Sequence, residues 1–308
     1  MREDFVEQFP KKKLQEIWES TTVEPGALYI VGTPIGNLGD ISVRALSTLA
    51  QVDIVLAEDT RTSSELLLPF GIKPHYLSFH QHNFRSRIDA AIADLQSGKS
   101  IAQISDAGMP TISDPGVELV DACLDAGLEV RVVPGPSASI AIVSLGGLPA
   151  DDFRFVGFLP QKEIDKHELL EDIKNYKGIT VLYEAPHRLL QTLNDLVAAG
   201  LGKRKLVLGR ELTKRYEEVI RDTVENIIAY YSDNKIRGEF VLLLGKASAE
   251  EAAAQNKNEK LELKEQIEEA LKAGKTSKTI LLELQDECNL SKNDLKKLIS
   301  TTKSELEN

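Results

Sequence analysis

Short apolar runs alternate with longer segments whose apolar positions recur at helical spacing. Ala27–Val31 (ALYIV) reads as a buried strand that runs into the tight loop GTPIGNLGDIS. A helix follows, with Val43, Leu46, Leu49 and Ala50 on one face and Asp40 or Ser42 as its candidate N-cap. The same unit recurs in DIVLA (53–57), within 72–79, in 100–105 and in 129–133, with helices expected over SELLLPF, 85–95 and 116–126. Each crossover is helical and long enough to return the chain in the same direction. Residues 26–149 therefore predict an α/β domain on a mostly parallel sheet, with its ligand loops at the carboxyl edge.

The pattern changes after Pro149. FRFVGFLP, GITVLYEAP, KLVLGREL, the start of RYEEVIRDTVENIIAYYSD and GEFVLLLGK read as short strands around helices at 161–176 and 187–200. They predict a second α/β domain with a mixed sheet over 150–248. Beyond it, AEEAAAQNKNEK reads as a linker, helical or disordered. LELKEQIEEALKAG, SKTILLELQDECN and SKNDLKKLISTTK then predict short amphipathic helices, with Gly274 and Asn289 as stops. Residues 249–308 are thus a linker with a helix-turn-helix type module or a small helical cap. Residues 1–25 are a polar extension with a basic cluster, Lys11–Lys13, and LQEIW for a turn or two of helix; otherwise they are a solvated tail.

Composition narrows the function classes. With 308 residues the chain can bury a sizeable core. A net charge of −11 excludes a whole-surface nucleic-acid footprint and leaves room for a local basic cleft. No apolar run approaches about 18 residues, and the start carries no secretory apolar segment, so a cytoplasmic protein without a membrane span is expected. Cys123 and Cys288 stand at no zinc or redox spacing and read as reduced structural thiols.

The loop GTPIGNLG lacks the Gly-Lys-Ser/Thr of a P-loop, and GxGxxG does not fit it, so a Rossmann dinucleotide site is disfavoured. SDAGMPTISDPG is backbone-restricted by Gly108, Pro110, Pro115 and Gly116. Asp114, directly before Pro115, fits a helix cap, which leaves Asp106 as the better ligand candidate. PGPSAS offers small side chains at Ser137 and Ala138, so a bound adenine or sulfonium could approach closely. His75, His80 and His82 have no further ligand at metal spacing, and a place in the active-site cleft suits them better. No nucleophile elbow supports hydrolase chemistry. Basic residues gather at Lys203–Lys205, Arg210, Lys214 and Arg215, at Arg85 and Arg87, and after strand ends at Arg61, His187 and Arg188. Such a rim suits a phosphodiester backbone.

LYIVGTPIGNLGDIS, AEDTRT, SFHQHN, ISDAGMPTISDPG, VVPGPSA, FVGFLPQK, LYEAPHRL and GRELTK, in this order, resemble the bacterial rRNA-modifying members of the tetrapyrrole (corrin/porphyrin) methylase family. The resemblance covers Gly26 to Lys246, and the C-terminal helices resemble the helix-turn-helix segment that ends those proteins. It implies a two-domain α/β homodimer binding S-adenosylmethionine between its domains, with no metal. It also implies transfer of the methyl to the ribose 2′-hydroxyl of a cytidine in 16S rRNA, in the decoding region of the small ribosomal subunit. Carried over by position, the cofactor pocket uses Ile35, Asp106, Met109, Ser137, Ala138, Glu184 and Leu212. Candidates for the base are His80, His82, Glu58, Asp59, Glu184, Glu211 and Lys214, of which His80, Glu184 and Lys214 are placed foremost. Arg61, Arg188, Lys214 and Arg215 are assigned to RNA phosphates. The rivals are a small-molecule, tetrapyrrole-type methyltransferase and a non-catalytic RNA-binding assembly factor.

Overall fold

The structure, a computed structural model, describes residues 10–80, 84–113, 116–285 and 290–306. His82, Asp114, Pro115, Cys288 and Asn289 lie outside the described residues. The chain divides into two compact units, one ending at Lys246 and one starting at Ala247.

The first unit opens with a helix, α1 (Lys11–Ser20), longer than the turn or two read from LQEIW. It buries none of its own side chains. Two side chains of α2 (Val43–Gln51) tie it down through its carbonyls. Ser47 Oγ donates to the Trp18 oxygen at 2.9 Å, and Gln51 Nε2 donates to the Thr21 oxygen at 2.9 Å. A solvated tail is thereby corrected to a tethered helix. Ser42, not Asp40, caps α2, accepting the Ala45 N–H at 3.0 Å.

Five strands follow: β1 (Leu28–Val31), β2 (Ile54–Ala57), β3 (Tyr76–Ser78), β4 (Ile101–Ile104) and β5 (Val130–Val133). They pair in the order β3-β2-β4-β1-β5, and every described pairing is parallel. Helices α3 (Thr60–Leu67), α4 (Phe84–Gln96) and α5 (Val117–Asp125) make the crossovers. Because a parallel sheet is covered on both sides, β1 is apolar on both faces. Tyr29 and Val31 pack with Ala45 and Leu49 of α2. Leu28 and Ile30 pack with Leu95 of α4 and with Leu119 and Cys123 of α5. Burial pushes the Cys123 thiol up to about 11, so it stays protonated and unreactive near neutral pH.

The second sheet comprises β6 (Phe153–Gly157), β7 (Ile179–Glu184), β8 (Lys205–Arg210), β9 (Glu218–Thr223) and β10 (Phe240–Leu244), in the order β6-β7-β10-β8-β9. Only β6 and β7 run parallel among these pairings, which makes the sheet mixed. Its two faces are sorted by the strand period of two. Phe240, Leu242 and Leu244 pack with residues of α7 (Glu163–Asn175), α8 (Leu189–Ala198) and α9 (Val224–Asp233). Val241 and Leu243 face the opposite way, against Ile142 of α6 (Ala138–Gly146). So the helix that leaves β5 is the cover of the second sheet. Full burial of a side chain such as Ile142 contributes about 1.5–3 kcal/mol to the packing of α6 on the second sheet.

The second unit holds α10 (Ala249–Lys272), α11 (Ser277–Leu284) and α12 (Lys292–Leu306) around Ile267, Ile280, Leu295 and Ile299. The stretch read as a linker belongs to α10. Ser248 and Glu251 form a reciprocal capping box, at 3.0 and 2.8 Å, and the alanines behind it favour helix. Among the described residues no helix is long and apolar enough to cross a membrane.

Candidate active site

The loops leaving β1, β4 and β5 are laced together at the carboxyl edge of the parallel sheet. Thr33 and Gly108 exchange backbone hydrogen bonds at 2.8 and 3.2 Å. Thr33 Oγ1 donates to the Ser105 oxygen at 3.1 Å, and the Gly135 N–H points at Met109 Sδ at 3.2 Å. The turns at Gly32 and Gly135 meet backbone to backbone. A Cβ on Gly135 would lie 2.8 Å from both Cα and C of Gly32. Only hydrogen fits at either place.

A cavity of about 390 Å³ opens between these loops and the second sheet, within the range of small-molecule sites. Ile35, Gly108, Met109, Ser137 and Ala138 line one wall, and Phe158, Tyr183, Glu184, Leu212, Phe240 and Val241 line the other. The Tyr183 hydroxyl accepts the Ser139 N–H at 3.3 Å, joining the start of α6 to the second sheet. Phe155 and Phe158 meet the Tyr183 ring edge-on at 4.7 and 5.9 Å. The structure thus gathers Ile35, Met109, Ser137, Ala138, Glu184 and Leu212 in one cavity. Asp106 is the exception: it is exposed beside the rim, where Oδ1 accepts the Asp59 N–H at 3.3 Å. The aromatic residues were missed in the sequence. Their one signal was position, since Phe158 ends FVGF and Tyr183 precedes the loop at Ala185.

Both lips of the cavity carry costly backbone. Among the described residues, the non-glycine residues with positive φ are Thr111 (72°), Ser113 (64°), Glu211 (52°) and Thr213 (66°). Ser113 and Leu212 line the cavity, so the strain sits at the site itself.

The charged residues divide sharply. Glu184 is buried, and both its oxygens are engaged: Oε1 accepts the Ala185 N–H at 2.8 Å, and Oε2 accepts the Thr192 hydroxyl in a very short bond. Arg188 Nε stands 3.6 Å from the same carboxylate, while its guanidinium donates to the Leu159 oxygen at 2.6 Å. That ties Glu184 and Arg188 to the loop backbone. Thr192→Val should therefore lower the unfolding free energy by about 1–3 kcal/mol, because it leaves a buried carboxylate oxygen unsatisfied. A denaturant midpoint equal to wild type would contradict this.

Lys214 lies across Gly36 and pairs with Glu211 at 2.9 Å and Glu239 at 2.8 Å. Burial works against its charge, yet the two carboxylates hold its pKa above the ordinary lysine value. Arg61 is bound to Asp59, its neighbour at the start of α3, at 2.7 Å, and stays exposed. Arg215 is exposed beside the Tyr216 ring, 5.6 Å from its centroid, without a carboxylate partner among the described residues. The Lys203–Lys205 cluster needs correction. Arg204 is buried and donates to the Ile173 and Lys174 carbonyls at 3.2 and 2.6 Å, so it braces the fold.

His80 does not line the cavity. It follows β3, as Glu58 follows β2 and Asp106 follows β4, which puts the three on adjacent strands of one edge. Burial raises the Glu58 pKa, Asp106 and Asp59 raise it further, and His80 opposes them. Desolvation by the surrounding loops, and then the charge of Asp59, also raise the pKa of Asp106, exposed as it is. Among the described residues no three His, Cys, Asp or Glu side chains could together hold a metal ion.

The fold and the site define a class of two-layered α/β proteins with a cavity between the loop edge of a parallel sheet and a mixed sheet. The family model for tetrapyrrole (corrin/porphyrin) methylases matches residues 27–228, and the chain belongs to that family. It is 41% identical over 273 residues to the ribosomal RNA small subunit methyltransferase I of Synechocystis sp., covering 89% of this chain and 97% of the relative. It is 45% identical over 219 residues to the protein of that name from Thermotoga maritima, covering 71% and 98%. Among solved structures, cobalt precorrin-4 methyltransferase aligns at 21% identity with a TM-score of 0.55, over 71% of this chain and 95% of that one. Diphthine synthase aligns at 16% with a TM-score of 0.57, over 71% and 89%. These two share the fold.

Proposed function

We propose that this chain is an S-adenosylmethionine-dependent methyltransferase acting on rRNA of the small ribosomal subunit, at the ribose 2′-hydroxyl of a cytidine in the decoding region of 16S rRNA. The observation that carries the reading is the cavity between the two sheets, in a chain that matches the Synechocystis and Thermotoga proteins named ribosomal RNA small subunit methyltransferase I over nearly their whole length. The residues fit the cofactor. Small residues and bare backbone at Gly108, Ser137 and Ala138 admit a nucleoside, and Met109, Leu212 and Val241 supply apolar walls.

S-adenosylmethionine, when bound, supplies a methyl group on a sulfonium. The protein's own part is to hold the ribose hydroxyl in line and to keep water out. Glu184 shapes the pocket from the second wall, since its oxygens are already engaged by Thr192 and Ala185. Lys214, held by two carboxylates, is likewise a positioning group. The proton of the hydroxyl falls to the edge next to the cavity: Glu58 accepts it, with His80 beside it. Arg215, with Tyr216, and Arg61 face outward to the RNA.

The protein works in the cytoplasm as a homodimer. Self-association is supported by apolar side chains left exposed on α5 (Val117, Leu124) and on Val132 of the edge strand β5. The test is methylation of small subunits with labelled S-adenosylmethionine, mapped on the RNA. One methyl on a cytidine ribose of 16S rRNA is expected; label on a base, on protein, or nowhere in the subunit refutes the proposal.

A further inference from the structure

The acidic chain carries one helix face of the opposite sign. Helix α12 buries Leu295, Ile299 and Thr302 against α10 and α11. Its outward side presents Lys292, Asn293, Lys296, Lys297 and Ser300, all exposed. The two described acids of the helix are drawn off elsewhere. Asp294 accepts the Ser291 hydroxyl at 2.6 Å in the first turn, and Glu305 pairs with Lys264 of α10 at 2.5 Å. Lys292, Lys296 and Lys297 have no carboxylate partner in the described structure, whereas Lys264, Lys272 and Lys275 of the same unit each hold a glutamate. Three unpaired ammonium groups on one helix, interleaved with an amide and a hydroxyl, match the phosphates and 2′-hydroxyls of a nucleic-acid backbone.

We propose that this face of α12 is an RNA docking surface that grips the rRNA backbone through Lys292, Lys296 and Lys297, with Asn293 and Ser300 as the donors between them. The assignment rests on the reading of the chain as an rRNA methyltransferase. It makes the second unit a substrate arm and gives it no part in holding the methyl donor.

The test uses the full chain with all three lysines changed to glutamine, which keeps helix propensity, beside a variant with all three changed to arginine. Affinity for isolated 16S rRNA and for small subunits is measured across a salt series, with S-adenosylmethionine binding by calorimetry and methyl transfer on subunits. The glutamine variant should raise KM for subunits at least about tenfold, leave kcat and S-adenosylmethionine affinity unchanged, and cut the log–log salt slope by about 3. The arginine variant should bind as wild type. Unchanged KM and salt slope in the glutamine variant, with wild-type methylation intact, would overturn the docking surface alone. Lost affinity for subunits but not for isolated rRNA would assign the face to a ribosomal protein and overturn it too. A wild-type chain that neither binds nor methylates rRNA would overturn the underlying reading as well.

Discussion

Gly135→Ala is expected to weaken S-adenosylmethionine binding at least about tenfold and to lower stability by about 1–3 kcal/mol. The added methyl would meet Cα, C and O of Gly32 at 2.8–2.9 Å, and those are backbone atoms that no rotamer change can move aside. Relief has to come from parting the loops after β1 and β5. The Gly135 N–H then loses Met109 Sδ, and the wall made by Met109, Ser137 and Ala138 opens. Gly39→Ala is the matched control, since its methyl would approach nothing closer than Asn37 Oδ1 at 3.2 Å. Calorimetric titration and a denaturant melt of both variants decide the matter. Equal affinities would mean that the two turns do not shape the pocket.

That contact shows where sequence reading succeeds and where it stops. GTP and PGP were recognisable as restricted loops, and ALYIV, DIVLA and the run at 100–105 announced β1, β2 and β4, because apolar runs between loop residues are a local signal. Which loop touches which is not local. Strand order brings β1 between β4 and β5, and only then do Gly32 and Gly135 face each other. The second wall was half legible. Glu184 and Leu212 were placed by family resemblance, while Tyr183, Phe158 and Phe240 lie unmarked within apolar runs. The charges misled most. Arg188, Arg204 and Lys214 have the composition of an RNA-facing rim, yet their partners are carbonyls and carboxylates set by folding. KLVLGREL read as strand to its end, but Glu211 takes a left-handed turn, and a single sequence has no mark for that.

Glu58→Gln is the second large effect: kcat should fall by about 10²- to 10⁴-fold, with S-adenosylmethionine affinity unchanged. Glu58 works ionised, and burial and then Asp106 lift its pKa above the ordinary glutamate range. Activity should therefore rise with pH through a limb that lies above that range and vanishes in Glu58→Gln. His80 favours the ionised carboxylate, so His80→Gln should move the limb further up. Stability runs the other way. A carboxyl whose pKa is raised in the folded state stabilises the fold below that pKa and loses this contribution as pH climbs through it. Near neutral pH the glutamine variant should thus melt no lower than wild type. A Glu58→Gln enzyme with wild-type kcat and an unmoved pH profile would place the base elsewhere.

The order of strands in the second sheet sets a timetable for synthesis. Among the described strands β10 is the last to leave the ribosome, yet it lies at the sheet's centre, between β7 and β8. Until Phe240–Leu244 emerges, β7 and β8 each keep an open hydrogen-bonding edge. The parallel sheet, by contrast, has all its strands once Val133 is out. From the end of β7 at Glu184 until Phe240 emerges, the nascent chain therefore carries a first layer with all its strands beside a second one still open at its centre. During that interval the unpaired edges of β7 and β8 are open to strand-edge misassembly.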